Sequence, residues 1–449
     1  MAGGFDEDVA LRLKEAHFLR FEFSDLHGIS RSKVVSTRLL LSRSSTYDTS
    51  LAIYAGVLGM SLTSTPVMIP EVVGSGLRNT VLVPHWRTLV LLPKSEDERY
   101  TTARVLCEVS SPWEEGEALD AHPRTLCRRL LKELEDCHGY RLQGALEYEF
   151  SLGKLSDTCS GKFIPLWDER PTFSTFAFST FVQDMLYDLE RDLAALGIMV
   201  NTMNLEYGRG QIEVTTTPVW GIDIADHAFT FRLLVKEFFA RRGLHATFMC
   251  KPNEDPDGAA NGGHFNHSLW GAAGNAFVSD GGGLSRDAEK WVSGILEHSK
   301  GLQALAAPTM SCYTRVRAWS WAPTHATFGE ENRTAAIRAK VGGEKGTYLE
   351  WRAPSATASP YLVLAGALAA GMAGLQQGGT PVPVQGSAYE STAAPEAKSL
   401  PKTLHESLEA LEADAILRGA LGDRFVRWFL QVKRHELQDL DEDKFVFLL

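Results

Sequence analysis

The sequence predicts an α+β fold in two parts, a small β-rich domain over residues 9–111 and a larger mixed domain over residues 112–449. Two patterns and one boundary predict it. Residues 9–111 hold short apolar runs of strand length separated by turn-forming residues. Beyond them, segments with apolar residues at helical spacing alternate with short strand-like runs. The composition shifts between the two at Ser111-Pro112-Trp113. A chain of 449 residues can bury a large core, and its length suits about two or three domains.

In order along the chain, residues 17–23 read as a strand, Ser24-Asp25-Leu26-His27-Gly28 as a turn and 32–35 as the return strand. Residues 51–77 are rich in Gly, Ser and Pro without periodicity and read as a long loop region, and 88–92 and 103–109 read as strands. Leu126, Leu130, Leu131 and Leu134 mark a helix. Further helices are expected at 180–196, 225–242, 286–305 and 360–375. Strands are expected between them at 199–204, 211–215, 246–250, 264–269, 335–340 and 347–352. The tail over 403–438 has helical spacing, from Leu404, Leu408 and Leu411 to Phe425, Phe429 and Val432. Residues 381–397 form a polar, Pro- and Ala-rich connector, and no internal repeat is visible.

The net charge of −11, from 45 basic and 56 acidic residues without a sustained basic block, argues against nucleic-acid binding. Cys107, Cys127, Cys137, Cys159, Cys250 and Cys312 are scattered without C-x-x-C spacing, which suits a reducing cytosol better than a disulfide framework. Residues 1–8 are Gly-rich and acidic, unlike a secretory signal. The most apolar run, 361–375, is shorter than a membrane span and contains three glycines, so it reads as a buried helix. A cytoplasmic protein with no membrane partner is expected.

The chemistry is concentrated in Leu146-Glu147-Tyr148-Glu149-Phe150. Residues two apart on a strand share a face, so Glu147 and Glu149 aim two carboxylates side by side while Tyr148 faces away. Such a pair, once buried, repels itself unless a proton or cation intervenes, and Mg²⁺ or Mn²⁺ prefers oxygen ligands. Three later segments offer more ligands. Glu206-Tyr207-Gly208-Arg209-Gly210-Gln211-Ile212-Glu213 is a turn between strands with Gln211 and Glu213 on one face. Asn261-Gly262-Gly263-His264 opens an alternating strand, and Tyr348-Leu349-Glu350-Trp351-Arg352 places Glu350 and Arg352 on one side.

In their order and spacing these segments resemble the glutamine synthetase superfamily, class I type. The resemblance also runs through Phe21-Glu22-Phe23-Ser24-Asp25-Leu26-His27-Gly28, Ala246-Thr247-Phe248-Met249-Cys250-Lys251-Pro252 and His264 with Ser268-Leu269-Trp270. It continues at Asn332-Arg333-Thr334-Ala335-Ala336-Ile337-Arg338 and Ser359-Pro360-Tyr361-Leu362-Val363-Leu364-Ala365. Leu26-His27-Gly28-Ile29-Ser30-Arg31-Ser32-Lys33 and Gly343-Glu344-Lys345-Gly346-Thr347 are most similar to the lens branch of that family. The resemblance implies an N-terminal β-grasp domain, a catalytic-type domain with a curved sheet, two divalent metals (Mg or Mn) and ATP. One metal site would be Glu149, Glu206 and Glu213, the other Glu147, His264 and Glu350. Arg333 and Arg338 would face ATP phosphates, and Arg315 and Arg352 would hold glutamate. Gly262, Ser268 and Trp270 would belong to the substrate and nucleotide surroundings. A homo-oligomer, a dodecamer of two stacked hexamers, is also implied.

The departures from the family are selective. Attack by neutral ammonia requires a group that removes a proton from ammonium. The family supplies a flap Glu six residues after the substrate arginine and an Asp in an N-terminal loop of a neighbouring subunit. Six residues after Arg315 stands Trp321, whose indole cannot accept a proton. Residues 51–77 contain one acid, Glu71; Asp48 precedes them in a different context. Tyr348 replaces a phosphate-side arginine and Asn266 a histidine. No catalytic acid is therefore assigned. The first expectation is a pseudoenzyme of the lens-branch kind, an oligomer with cytoskeletal (intermediate-filament) partners. The second is an ATP- and metal-dependent γ-glutamyl ligase using another amine; a third is a regulatory nucleotide binder.

Overall fold

The computed structural model describes residues 6–43, 51–94, 97–114, 117–156, 162–252, 259–390, 396–439 and 449. Asp48, Cys159 and part of the 381–397 connector lie outside the described residues. The architecture is α+β, with two sheets and helices packed around them.

The N-terminal sheet has the spatial order Ser30–Ser36, Phe18–Ser24, Thr102–Val109, Asn79–Pro84, Leu51–Tyr54, with Val90–Leu91 also on Thr102–Val109. Phe18–Ser24 and Thr102–Val109 run parallel at its centre. Leu19, Phe21 and Phe23 of the first share one buried face with Ala103, Val105 and Cys107 of the second, as the period of two in a strand requires. This arrangement is consistent with a β-grasp. A short helix not foreseen from sequence, Glu7–Leu13, precedes it, capped by the Asp6 carboxylate accepting from Val9 N–H at 2.9 Å.

The second sheet is built on one long strand, Arg141–Leu155. Gly263–Gly271 pairs antiparallel along one edge of it and Gln211–Thr216 along the other. Tyr348–Trp351, Ile337–Lys340 and Phe328–Glu330 extend the sheet on the first side, and Val200–Leu205 on the second. Alternation gives Arg141–Leu155 one oily and one acidic face. Tyr148 and Phe150 point into the core, where Tyr148 stacks on Phe231 with ring centroids 5.8 Å apart and meets Phe248 at 5.5 Å. Phe231 belongs to helix Asp223–Ala240, which packs against this face. Each fully buried aromatic there contributes about 1.5–3 kcal/mol. The apolar run expected as a buried helix is Pro360–Gln377, buried from Pro360 to Gly374. It meets helix Arg286–Glu297 so closely that a Cβ on Gly374 would lie 2.0 Å from Lys290 O. Among the described residues no helix is long and apolar enough to cross a membrane.

Several long periodic segments are broken where a polar group intervenes. Residues 286–305 form two helices, Arg286–Glu297 and Ser299–Ala306, divided at His298, whose Nδ1 lies 2.6 Å from Asp414 Oδ2. The tail is three helices, Leu404–Ala413, Ala415–Leu421 and Asp423–Asp439. Asp414 caps the second through Ile416 and Leu417 N–H, and Gly422 at φ 94° turns the chain into the third. The helix expected at 180–196 is Thr175–Phe181 followed by Gln183–Ala195. Residues 51–77 carry strand Leu51–Tyr54, a 3-10 turn at Ala55–Gly59 and helix Pro70–Gly74, each too short to show a period.

A buried ionic cluster clamps the N-terminal part to the last helix. The Lys433 ammonium donates to His27 Nδ1 and to Glu436 Oε2, both at 2.9 Å, and Leu62 N–H donates to Glu436 Oε1 at 2.8 Å. Burial alone would raise the Glu436 carboxyl, but His27 and Lys433 pull it down to about 2. Removing one partner strands a buried charge, so Glu436→Ala is expected to lower unfolding stability by about 3 kcal/mol at pH 7. Because the folded carboxyl lies below its unfolded value of about 4.3, this contribution is complete above that value and fades as pH falls toward 2. Urea unfolding at pH 7 and pH 3 checks both; a loss under about 1 kcal/mol at pH 7 would contradict the clamp.

Candidate metal and nucleotide site

Strand register explains how distant acids converge. Glu149 is directly opposite Glu213, and Glu147 directly opposite His264, on the two flanks of the central strand. Glu350 stands opposite Asn266, two residues on from His264 and on the same face. Cross-strand partners sit with Cβ atoms about 5 Å apart, so this face gathers its side chains without bending the chain. Glu206 follows strand Val200–Leu205, and its N–H donates to Gln211 O at 3.0 Å, which closes the turn and aims Glu206 inward.

Glu350 excepted, these acids and His264 line a cavity of about 360 Å³, with Arg315, Trp321, Arg333 and Arg352 also on its walls. His264 Nδ1 lies 3.1 Å from Glu147 Oε1 and 3.5 Å from Glu350 Oε1. Glu147, His264 and Glu350 each offer a ligand atom within 4.8 Å of the others. The backbone closes in as well. Gly262 N–H donates to Glu149 Oε2 at 2.6 Å, and a Cβ on Gly262 would meet His264 Nε2 at 2.7 Å. Only glycine fits there.

The electrostatics are those of a site short of positive charge. Burial, with Glu149 next, pushes the Glu206 carboxyl up to about 7. Burial and the charges of Glu147, Glu149 and Glu206 drive Glu213 far above the carboxylate range. Burial opposes ionisation of Glu147 too, but the hydrogen bond from His264 holds it low. Protons thus occupy part of a set whose oxygen and imidazole donors fit a hard divalent cation. Glu149, Glu206 and Glu213 would hold one ion and Glu147, His264 and Glu350 a second.

The arginines are held in place by their own contacts. Arg315 donates to Ala353 O at 2.8 Å and to Pro354 O at 3.0 Å. Arg352 donates to Glu350 and, at 3.1 Å, to Trp321 O. Arg333 is exposed on the cavity wall. Five expected residues stand outside that lining: Glu350 and Gly262, which touch it through His264 and Glu149, and Arg338, Ser268 and Trp270. Arg338 donates to Glu350 at 3.1 Å and to Glu331 at 2.6 Å. Trp270 Nε1 donates to Ser268 Oγ at 3.0 Å, and its ring packs edge-on to Trp220 at 5.8 Å. Sequence reasoning missed the polar support beneath the acids, where Gln211 donates to Asn261 Oδ1 at 3.0 Å and Asn261 to Ser151 Oγ at 3.1 Å. It also missed Thr172, Phe173 and Tyr207 on the wall. Gln211 was visible at i−2 from Glu213; the others carry no pattern of their own.

Residues 120–445 match the family described as glutamine synthetase, catalytic domain, and the chain belongs to that family. Lengsin of Rattus norvegicus is 32% identical over 445 residues, covering 95% of this chain and 73% of the relative. The glutamate–isopropylamine ligase of a Pseudomonas species is 28% identical over 432 residues, covering 94% of this chain and 91% of the ligase. A solved structure of GmaS in complex with ADP superposes with a TM-score of 0.79 at 27% identity, covering 97% of this chain and 98% of GmaS.

If these carboxylates are cation ligands, Mn²⁺ at about 100 times its dissociation constant is expected to stabilise the fold by about 2.7 kcal/mol per site. Glu213→Gln is expected to leave the metal-free melting temperature unchanged or higher, since it removes a crowded acid, while most of the Mn²⁺-induced rise is lost. Thermal melts with and without Mn²⁺ measure this. A full Mn²⁺ response in the variant would remove Glu213 from the set.

Proposed function

We propose that this chain is an ATP- and divalent-cation-dependent glutamate ligase that activates the γ-carboxylate of glutamate and passes it to an amine other than ammonium. One observation carries this reading: among the described residues lining the cavity, every carboxylate belongs to the proposed ligand set, and Trp321, which the resemblance aligns with the family's flap Glu, lies on the wall. Bound divalent ions would neutralise phosphate oxygens and the charge that develops on phosphoryl transfer. Arg333 is suited to grip a phosphate, and the pinned guanidinium groups of Arg315 and Arg352 to fix the glutamate carboxylate. Such positioning is most of what the activation step needs. The likeness to a glutamate–isopropylamine ligase supports an amine acceptor, and the likeness to an ADP complex supports a nucleotide.

A second reading is favoured by the state of residues 51–77. Their one acid, Glu71, is held within its own chain, accepting from Arg427 at 2.5 Å and Trp428 Nε1 at 2.7 Å. On this reading, with Trp321 on the cavity wall, the chain is a cytoplasmic, non-enzymatic homo-oligomer of two hexamers with cytoskeletal partners, as the resemblance to the lens branch implies, and the likeness to lengsin supports that branch.

Hydroxylamine separates the readings, because it is small and largely neutral at pH 7 and needs no base. With glutamate, ATP and Mn²⁺, γ-glutamyl hydroxamate and ADP are expected in equal amounts, at least about tenfold faster than glutamine from ammonium. Trp321→Glu is expected to raise the ammonium rate about tenfold or more. Absence of hydroxamate from metal-loaded, folded protein would leave the second reading standing.

A further inference from the structure

Arg338 is held from two sides, by Glu350 of the proposed ligand set and by Glu331, which lies off the cavity lining. Glu331 Oε2 accepts from Arg338 at 2.6 Å and from Lys340 Nζ at 2.8 Å, so one oxygen serves two cations. Arg338 and Lys340 stand two apart on strand Ile337–Lys340 and share a face, which is how one side chain reaches both.

The backbone is bent to aim that carboxylate. Strand Phe328–Glu330 runs parallel to Ile337–Lys340, with Glu330 opposite Ala339. At the next residue the chain turns. Glu331 sits at φ 51°, in the left-handed region that a glutamate rarely enters, while its N–H still donates to Ala339 O at 3.0 Å. Asn332 fixes the turn, its Oδ1 accepting from Thr334 N–H at 3.0 Å and its Nδ2 donating to Gly386 O at 2.7 Å. An ion pair with so exposed an acid is worth less than such a backbone costs, so the pair alone gives no reason for the strain. Residues strained in this way gather at ligand clamps and switch regions.

The surroundings name the ligand. A cation bound by Glu147, His264 and Glu350 would carry a nucleotide phosphate beside Glu350, and Arg338 flanks Glu350 at 3.1 Å. Arg333, two residues after Glu331, is on the cavity wall. Guanidinium and ammonium groups grip phosphate oxygens as they grip carboxylate. The Arg338 side chain is 10% exposed and that of Glu331 54%, so the carboxylate is the partner able to swing into water.

Building on the ligase reading above, we infer that Glu331 sets the affinity for the phosphate donor: its carboxylate takes the edge of Arg338 and Lys340 that the phosphates of a nucleoside triphosphate bind, and nucleotide binding exchanges one anion for the other. The polyphosphate prevails because it brings more charge and a divalent cation of its own. Until it leaves, Glu331 repels the incoming anion and holds affinity below what the two cations alone would give.

Calorimetry on the full chain with Mn²⁺ measures binding of the non-hydrolysable analogue β,γ-imido-ATP, and the hydroxamate assay measures KM for ATP and for glutamate. Glu331→Gln and Glu331→Ala, each checked for folding by thermal melts, are expected to tighten the analogue about fivefold and to lower the ATP KM in step, with the glutamate KM unchanged. Equal or weaker analogue binding by both folded variants would overturn the inference, and hydroxamate from the wild type would then leave the ligase reading intact. Tighter analogue binding without hydroxamate from any of the three proteins would overturn the ligase reading and keep the exchange. A glutamate KM that moves as far as the ATP KM would mark a general rearrangement of the site and overturn the role given to Glu331. No analogue bound by any of them would overturn both.

Discussion

Repulsion among carboxylates is the constraint on which the rest of this structure depends. Glu147, Glu149, Glu213 and Glu350 share one face of a sheet, with Glu206 at its edge, and the opposite face of the same strand is sealed by Tyr148 and Phe150. The acids cannot turn away, because moving one strand by a residue would drive the aromatics into the cavity and the carboxylates into the core. Burial first, and then the neighbouring carboxylates, raise Glu206 and Glu213, so that protons relieve part of the repulsion. The rest is taken up by His264, Arg338 and Arg352 around Glu350. Carboxylates crowded in this way suit positive charge, which is what the proposed cation sites would supply.

Glu350 links the acids to Trp321 through Arg352. Its carboxylate holds the Arg352 guanidinium, and the same guanidinium holds the Trp321 carbonyl. Two hydrogen bonds thus join the Glu350 carboxylate to the Trp321 backbone. Arg315 is tied to the carbonyls of Ala353 and Pro354, so the strand bearing Glu350 and the loop after it fix both arginines expected at the glutamate end.

The acidic face was legible because period-two alternation and apolar flanks both appear in Leu146–Phe150, and the two requirements agree on one register. The β-rich start, the buried Pro360–Gln377 helix and the family were legible for similar reasons of periodicity and motif order. The breaks at His298, Asp414 and Gly422 were not, because helical spacing continues across them while a side-chain cap or a left-handed glycine interrupts the backbone. The Phe173 and Trp321 rim was half legible. Trp321 stood out as an indole in an acid's place, but exposure and positive φ are properties of the fold that no local pattern encodes. Ser268 and Trp270 hydrogen-bond each other outside the cavity lining, and Arg338 reaches the acids through Glu350.

The most direct measurement is a crystal structure grown with Mn²⁺ and an ATP analogue, with anomalous scattering recorded at the manganese edge. Two anomalous peaks are expected, one among Glu149, Glu206 and Glu213 and one among Glu147, His264 and Glu350. Density free of anomalous signal at both positions, in crystals where the nucleotide is bound, would contradict the reading of these carboxylates as cation sites.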